Sequence, residues 1–396
     1  MPAKADSTNK TKPRGTILVF ILALFTIYGG INCYIFLKVV NSFALGAPLS
    51  LLLGFVMLIM TGAPLIVHIL EGYGRESLAC FFAVTGYSWL GTVFLVFSLS
   101  CTLDIYHLLV AGAGFFLQKD LSSIIPGGRI ALASSILIAF IAMVYGYARA
   151  MVIDRETLCI KSSKIPEDPG SLTIVQVSDI HLGLIVREKR LERILRKVID
   201  AAPDILISTG DLVDGQINKL SGLAEPFQKI RPRYGKFAIT GNHEYFAGIT
   251  PALEFTERAG FRILRDEAVT ISGLLTIAGI EDPAGNYYGR RRHIKEEELL
   301  SNLPAHLFTL LLKHEPDVTR ESLGLFDLQL SGHTHKGQIF PFNLITRIRF
   351  PFLSGFYSLG QSSALYVSRG SGTWGPPVRL FAPPEVTVIR LIRSEQ

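Results

Sequence analysis

The chain predicts two folds in series. An all-α domain of four transmembrane helices occupies residues 1–155, and an α/β domain of buried strands flanked by helices occupies residues 171–396. Three observations carry this reading. Four apolar runs of membrane-crossing length precede residue 153. Charged residues make up only 18% of the chain, and most of them follow Arg149. Beyond residue 171, short apolar runs alternate with amphipathic stretches, as strands alternate with helices in an α/β domain. A length of 396 residues accommodates both parts. The apolar fraction of 49% and mean hydropathy of +0.37 are high for a wholly soluble protein.

The spans come first. A bilayer-crossing helix needs about 20 mainly apolar residues, and the runs at about 16–40, 48–70, 78–103 and 129–150 qualify. The first is too long, and too unlike a cleavage site, to be a removable signal, and three more follow it. A shorter run at 107–117 is an interfacial piece, a re-entrant piece or an extension of the third helix. Cations set the orientation. Lys4, Lys10, Lys12 and Arg14 precede the first span, and Arg149, Arg155, Lys161 and Lys164 follow the fourth. This pattern places both termini, and the second domain, on the cytoplasmic face. His68 and His107 read as helix-end residues bonded to backbone or water. Asp104 lies near His107, but both fall at the expected interface. No row of intramembrane charges supports transport.

Cys33, Cys80, Cys101 and Cys159 show no Cys-x-x-Cys spacing, which excludes a zinc-thiolate or redox motif. The net charge of +6 without a dense basic stripe suits an anionic lipid surface and gives no sign of nucleic-acid binding. Residues 156–170 are polar and read as a linker. Strands follow at 172–177, 205–208, 237–240, 274–280, 308–312, 328–330, 364–368 and 385–391. The stretch 188–202 carries Leu191, Ile194, Leu195, Val198 and Ile199 at helical spacing.

Five motifs carry the chemistry. They are Asp179-Ile180-His181, Gly210-Asp211-Leu212-Val213-Asp214, Gly241-Asn242-His243-Glu244, Lys313-His314-Glu315 and Gly332-His333-Thr334-His335. Each follows an apolar run, which puts its polar side chains at strand ends where distant ligands can converge. Five of the nine histidines lie in these motifs. Imidazole mixed with carboxylate and amide oxygen suits manganese, iron or zinc rather than calcium, with manganese favoured. Two ions need a shared ligand, and Asp211, with two carboxylate oxygens, is the candidate.

This set resembles the calcineurin-like metallophosphoesterase superfamily, over residues 172–391. The strings Ser178-Asp179-Ile180-His181-Leu182-Gly183, Lys313-His314-Glu315-Pro316-Asp317, Val367-Ser368-Arg369-Gly370 and Gly375-Pro376-Pro377-Val378-Arg379 are similar to the branch containing YkuE, YaeI and animal transmembrane proteins with a metallophosphoesterase domain. The resemblance implies a metallophosphoesterase β-sandwich flanked by helices and two divalent metal ions. One ion would be held by Asp179, His181, Asp211 and His335, and the other by Asp211, Asn242, His314 and His333. It also implies that His243 is catalytic, stabilising the transition state or acting as general acid while metal-activated water attacks phosphorus in line. Asp214, Glu244, Lys336 and Arg369 are candidates for orienting ligands or touching substrate. Lys336 stands where Gly is commoner, and both phosphate contact and a solvated loop remain open for it.

The segment 339–357 mixes Phe, Ile, Leu and Pro with Arg347 and Arg349, and suits either a membrane-interface loop or a covered hairpin. Arg290, Arg291 and Arg292 beside Tyr287 and Tyr288 read as a solvated charge run, and His293 and His306 as surface residues. The expected partners are the bilayer and a phosphate-containing amphipathic substrate. Some members of the branch hydrolyse the pyrophosphate of UDP-2,3-diacylglucosamine, so a phosphodiester or pyrophosphate in a lipid or lipid-linked nucleotide is the implied target. The competing reading is an anchored phosphatase for soluble phosphoesters or phosphoproteins. The oligomeric state is open.

Overall fold

The structure is a computed structural model that describes residues 14–215, 220, 222–271, 273–288 and 294–394. The early cations Lys4, Lys10 and Lys12, the run Arg290–Arg292 and His293 lie outside these residues, as do the side chains of 14–21, 23 and 24, which include the start of the first expected span.

Five helices open the chain: α1 (Arg14–Phe43), α2 (Ala47–Thr61), α3 (Ala63–Gly72), α4 (Glu76–Leu117) and α5 (Gly128–Ala150). Among the described residues, α4 and the stretch Ser122–Ala150 are each long and apolar enough to cross a membrane, and α2 with α3 forms a third candidate, bent at a break. The break has a local cause. Gly62 and Pro64 fall together there, and a proline cannot donate the next helical hydrogen bond. The run 107–117 continues the third helix. At 42 residues α4 is about 63 Å long, about twice the hydrocarbon core of a bilayer.

The chain forms two compact units, Met1–Ala63 with Thr92–Ala139, and Pro64–Gly91 with Phe140–Gln396. The division therefore runs through α4 and α5, not through residues 156–170. In the first unit an ion pair ties α1 to α4. Lys38 Nζ lies 2.5 Å from Asp104 Oδ1, and Tyr34 donates to Asp104 Oδ2 at 2.5 Å. Asp104, expected at the interface beside His107, thus has partners 66 and 70 residues away in sequence. Arg129 Nε donates to the Ser42 carbonyl at 2.7 Å.

The second unit holds a two-sheet sandwich. Its elements are β1 (Asp154–Ser162), β2 (Ser171–Val177), α6 (Glu188–Asp200), β3 (Ile205–Ser208), α7 (Glu225–Gln228), β4 (Lys236–Ala238), α8 (Asn242–Ala247), α9 (Ile249–Arg258), β5 (Arg262–Ile263), β6 (Glu267–Ile271), β7 (Leu275–Gly279), α10 (Glu296–Ser301), β8 (Phe308–Leu312), β9 (Leu328–Ser331), α11 (Phe342–Arg349), β10 (Gly355–Gly360), β11 (Ser363–Val367) and β12 (Glu385–Arg393). One six-stranded sheet runs β1-β12-β2-β3-β4-β5, and the other β10-β11-β9-β8-β7-β6. Much of the expected linker is strand β1, which pairs parallel with β12 along all nine residues. Its charged residues hid the alternation, because one face of an edge strand stays in water.

The sheets pack through Ile174, Ile205, Ile207, Leu275, Ile277, Leu310, Leu312, Leu330 and Ile389, all 0% exposed. Helix α6 covers the outer face of the first sheet with Leu191, Ile194, Leu195 and Val198. Strands β2, β3 and β4 are mutually parallel, and so are β7, β8 and β9. Parallel strands present like ends on one edge, and the five motifs leave the chain there.

Candidate metal centre

The donor atoms of all five motifs converge. Two overlapping sets form around Asp211. On one side, His181 Nε2 lies 3.1 Å from His335 Nε2, and His335 Nε2 lies 3.4 Å from Asp179 Oδ1. His181 Nε2 is 3.8 Å from Asp211 Oδ2. On the other, His314 Nε2 is 3.1 Å from Asp211 Oδ2, 3.2 Å from Asn242 Oδ1 and 3.1 Å from His333 Nδ1. Metal–nitrogen bonds of about 2.1 Å separate neighbouring ligand atoms by about 3.0–3.4 Å, so both sets have the spacing of ligands around a cation. Asp211 Oδ2 faces both.

The chain pre-forms this geometry at a conformational cost. Asp179, His181, Asp211, His333 and His335 all have φ between 49° and 67°. Each such non-glycine residue is disfavoured, and such strain concentrates at working sites. Two glycines are needed for close approach. A Cβ on Gly241 would strike the Asp211 carboxylate, and one on Gly332 would strike that of Asp179. The motifs are also stitched together. Asp179 accepts the backbone N–H of His333 at 2.9 Å, joining the first motif to the last, and Ser178 Oγ makes a short contact with it. Glu244 accepts N–H bonds from Asp211, Leu212, Val213 and Gly241 at 2.7–3.3 Å, joining the second motif to the third. His314 Nδ1 lies 2.8 Å from the Thr209 carbonyl, which can only accept. That contact puts a proton on Nδ1 and turns Nε2 inward, where a cation can replace the proton it shares with Asp211, the arrangement of a metal-ligating imidazole.

Protonation fits the same purpose. Burial, then the neighbouring His243, pushes His181 down to about 4, and burial with His314 pushes His333 down to about 3. His335 falls well below its ordinary value through burial and the Arg379 charge. All three are neutral at pH 7, the form that can ligate a cation. Burial opposes charge on Asp211, yet His314 and His243 hold its pKa well below the usual range. His314 resists burial because Asp211 and Asp179 retain its proton, and a cation binding there releases that proton. Burial alone would lower His243, but the Asp211 charge and the hydrogen bond to Asp214 carry it up to about 9. His243 Nδ1 lies 2.9 Å from Asp214 Oδ1, and its ring meets that of His181 edge-on at 4.6 Å. It stands beside the donor sets as an imidazolium.

Not every candidate belongs here. Arg369 is held by Glu385 at 2.7 Å and Glu156 at 2.6 Å, so it ties β1 to β12. Lys336 follows His335 in a left-handed conformation, φ 53°, which explains why Gly is an alternative at this place. Arg379 carried no role in the sequence reading. It is 0% exposed, donates to the carbonyls of Gly372 and Arg369, and approaches His335 Nδ1 at 3.0 Å. Asp282 is also buried, and burial raises it to about 6 within the field of His314. Neither residue sits in a histidine motif, so only contact reveals it.

Residues 172–337 match the family model described as calcineurin-like phosphoesterase. An uncharacterized metallophosphoesterase of Aquifex aeolicus is 40% identical over 255 residues, covering 64% of this chain and 97% of that protein. One from Helicobacter pylori J99 is 30% identical over 390 residues, covering 96% and 98%. The chain belongs to the metallophosphoesterase family. It is a metal-dependent phosphoesterase, a hydrolase of phosphoric esters. A zebrafish transmembrane protein with a metallophosphoesterase domain is 32% identical over 272 residues, covering 65% of this chain and 62% of its own. Together with the apolar helices, that similarity marks a membrane-associated phosphoesterase.

Proposed function

We propose that this chain is a multi-pass, membrane-anchored phosphoesterase with two divalent ions, its catalytic domain on the cytoplasmic face. It hydrolyses a phosphodiester or pyrophosphate bond in a lipid or lipid-linked nucleotide, as a UDP-2,3-diacylglucosamine hydrolase does. Asp179, His181, Asp211 and His335 hold one ion, and Asp211, Asn242, His314 and His333 the other. When bound, the ion pair activates water at neutral pH and draws charge from the phosphoryl oxygens. Manganese suits the mixed donor set best. The His243 imidazolium stabilises charge on the phosphate or protonates the leaving oxygen, and Asp214 keeps it charged and oriented. Glu244 and Ser178 hold the motif loops in register.

The observation that carries the substrate class is the rim. Trp374 and Phe246, 52% and 60% exposed, meet the His243 ring at 5.7 and 5.2 Å, and Phe350 meets His333 at 4.9 Å. A substrate that is phosphate alone has no use for such walls. Close to His335 in sequence, α11 has no buried residue, with Leu344, Ile345 and Ile348 exposed beside Arg347. That supports a face that meets lipid. The test is a lipid panel against a soluble chromogenic diester, each with purified protein and manganese. Turnover of lipid phosphodiesters or pyrophosphates in preference is expected. Turnover of the soluble diester alone would favour the anchored phosphatase instead.

A further inference from the structure

One face of α4 lies across three loops of the phosphoesterase centre. Glu76, Cys80, Ala83, Tyr87 and Gly91 recur at helical spacing and so share that face. Glu76 pairs with Arg187 at 2.5 Å, and Cys80 Sγ contacts the Leu184 carbonyl at 3.5 Å. Both partners lie in the loop that follows Asp179 and His181. Ala83 is 0% exposed. A Cβ on Gly91 would lie 3.3 Å from Pro376, two residues after Trp374. Between these points stands Tyr87, within electrostatic reach of Asp214 and of Glu71 from α3. The Glu71 carboxylate in turn lies 3.4 Å from the Cβ position of Gly215, beside Asp214. Every residue named belongs to the second unit.

The consequence is chemical. Asp214 holds His243, and Trp374 and Phe246 wall it. A phosphoester brought to His243 would meet, on its helical side, the α4 face that carries Tyr87 between the Leu184 and Pro376 contacts. A chain attached to that phosphoester can lie along apolar α4, whereas a small soluble ester gains nothing from it. We propose that Tyr87 is a specificity-determining residue that selects phosphoesters carried on an apolar chain. This rests on the substrate class proposed above and assigns a working surface to a helix that otherwise serves only as an anchor.

The test compares dodecyl and methyl p-nitrophenyl phosphate, two diesters with one leaving group, on the full-length protein in detergent with manganese. Wild type should prefer the dodecyl ester. Tyr87→Ala should lower the dodecyl-to-methyl ratio of kcat/KM about tenfold, the worth of contact with two methylene groups. The change should appear in KM, with two ions still bound. Tyr87→Leu, which keeps an apolar wall, should hold the ratio near wild type. A ratio unchanged in Tyr87→Ala, or an equal fall for both esters with loss of ions, would overturn the assignment. If the alanine variant does not fold, Tyr87→p-benzoylphenylalanine is irradiated with the dodecyl ester. An adduct supports the proposal, and its absence refutes it. Wild-type turnover of neither ester would instead remove the phosphodiesterase reading itself.

Discussion

Replacing His243 with alanine separates catalysis from metal binding. The imidazole lies 2.9 Å from Asp214 and in the field of Asp211, and its pKa is pushed from 6.5 up to about 9. Those neighbours stabilise the imidazolium by roughly 3 kcal/mol at this buried position. Its loss removes the charged group proposed to act on phosphate, for which general acid catalysis is typically worth about 10²–10⁴-fold. The His243 backbone N–H bond to Asp211 Oδ1, 2.9 Å, survives the substitution, so the shared ligand keeps its place. Steady-state kcat for a chromogenic diester, paired with metal content by mass spectrometry, gives the answer. The expected result is a fall of about 10²–10⁴-fold in kcat with two ions retained. Loss of an ion, or a fall below about tenfold, would show that His243 is a ligand or a bystander. Asp214→Asn is the companion variant. Losing one charge-assisted hydrogen bond, worth about 1.5–3 kcal/mol, should lower kcat about 10–100-fold. It should also move the alkaline fall in activity to lower pH, because the imidazolium loses the carboxylate that stabilises it.

Three further outcomes follow from the geometry. Glu244→Gln leaves an amide where a carboxylate accepted four N–H groups. It should cost about 3 kcal/mol in a thermal melt and weaken metal binding about 10–100-fold by titration. Acid should strip the ions. Burial, with the Asp211 charge, outweighs His314 and raises Asp179 to about 6, so below that pH a proton competes with the cation. The apparent affinity for manganese, titrated from pH 8 to pH 5, should weaken more steeply below about pH 6, and an affinity independent of pH would contradict the Asp179 assignment. Arg369→Ala should leave kcat/KM within about twofold but cost about 3 kcal/mol of stability, since Glu385, 1% exposed, loses its ion-pair partner. A selective loss of activity would return Arg369 to the substrate path.

The legible part of this protein is what local pattern encodes. Apolar runs marked the core strands because strands buried on both faces read as continuous Val, Ile and Leu. Polar residues placed straight after those runs marked the centre, since parallel strands bring such ends together whatever their separation in sequence. The residues whose donor atoms gather around Asp211, with His243, Asp214 and Glu244 beside them, all lie in the five motifs. Strand β1 was missed because its charged outer face masks the alternation, with Leu158 and Ile160 set among Arg155, Glu156 and Lys161. The left-handed backbone of five proposed ligands was not readable either, because an aspartate or histidine codon carries no sign of φ.

What stayed hidden depends on pairing between distant side chains. Lys38 with Asp104, and Arg369 with Glu385 and Glu156, are defined by contact and not by spacing. The same limit explains α4. Read alone, Glu76 to Leu117 is an apolar helix with nothing but its length to report, and an anchor is the natural reading. Only when Arg187, Leu184, Asp214 and Pro376 are seen against Glu76, Cys80, Tyr87 and Gly91 does one stripe acquire a purpose. A boundary drawn at residues 156–170 would cut that stripe from the loops it touches. The compact unit instead keeps 64–91 and 140–150 with the sandwich. A chain shortened to its apparent soluble half thus loses the Arg187, Leu184 and Pro376 contacts in one step, and its site should be judged only with those helices in place.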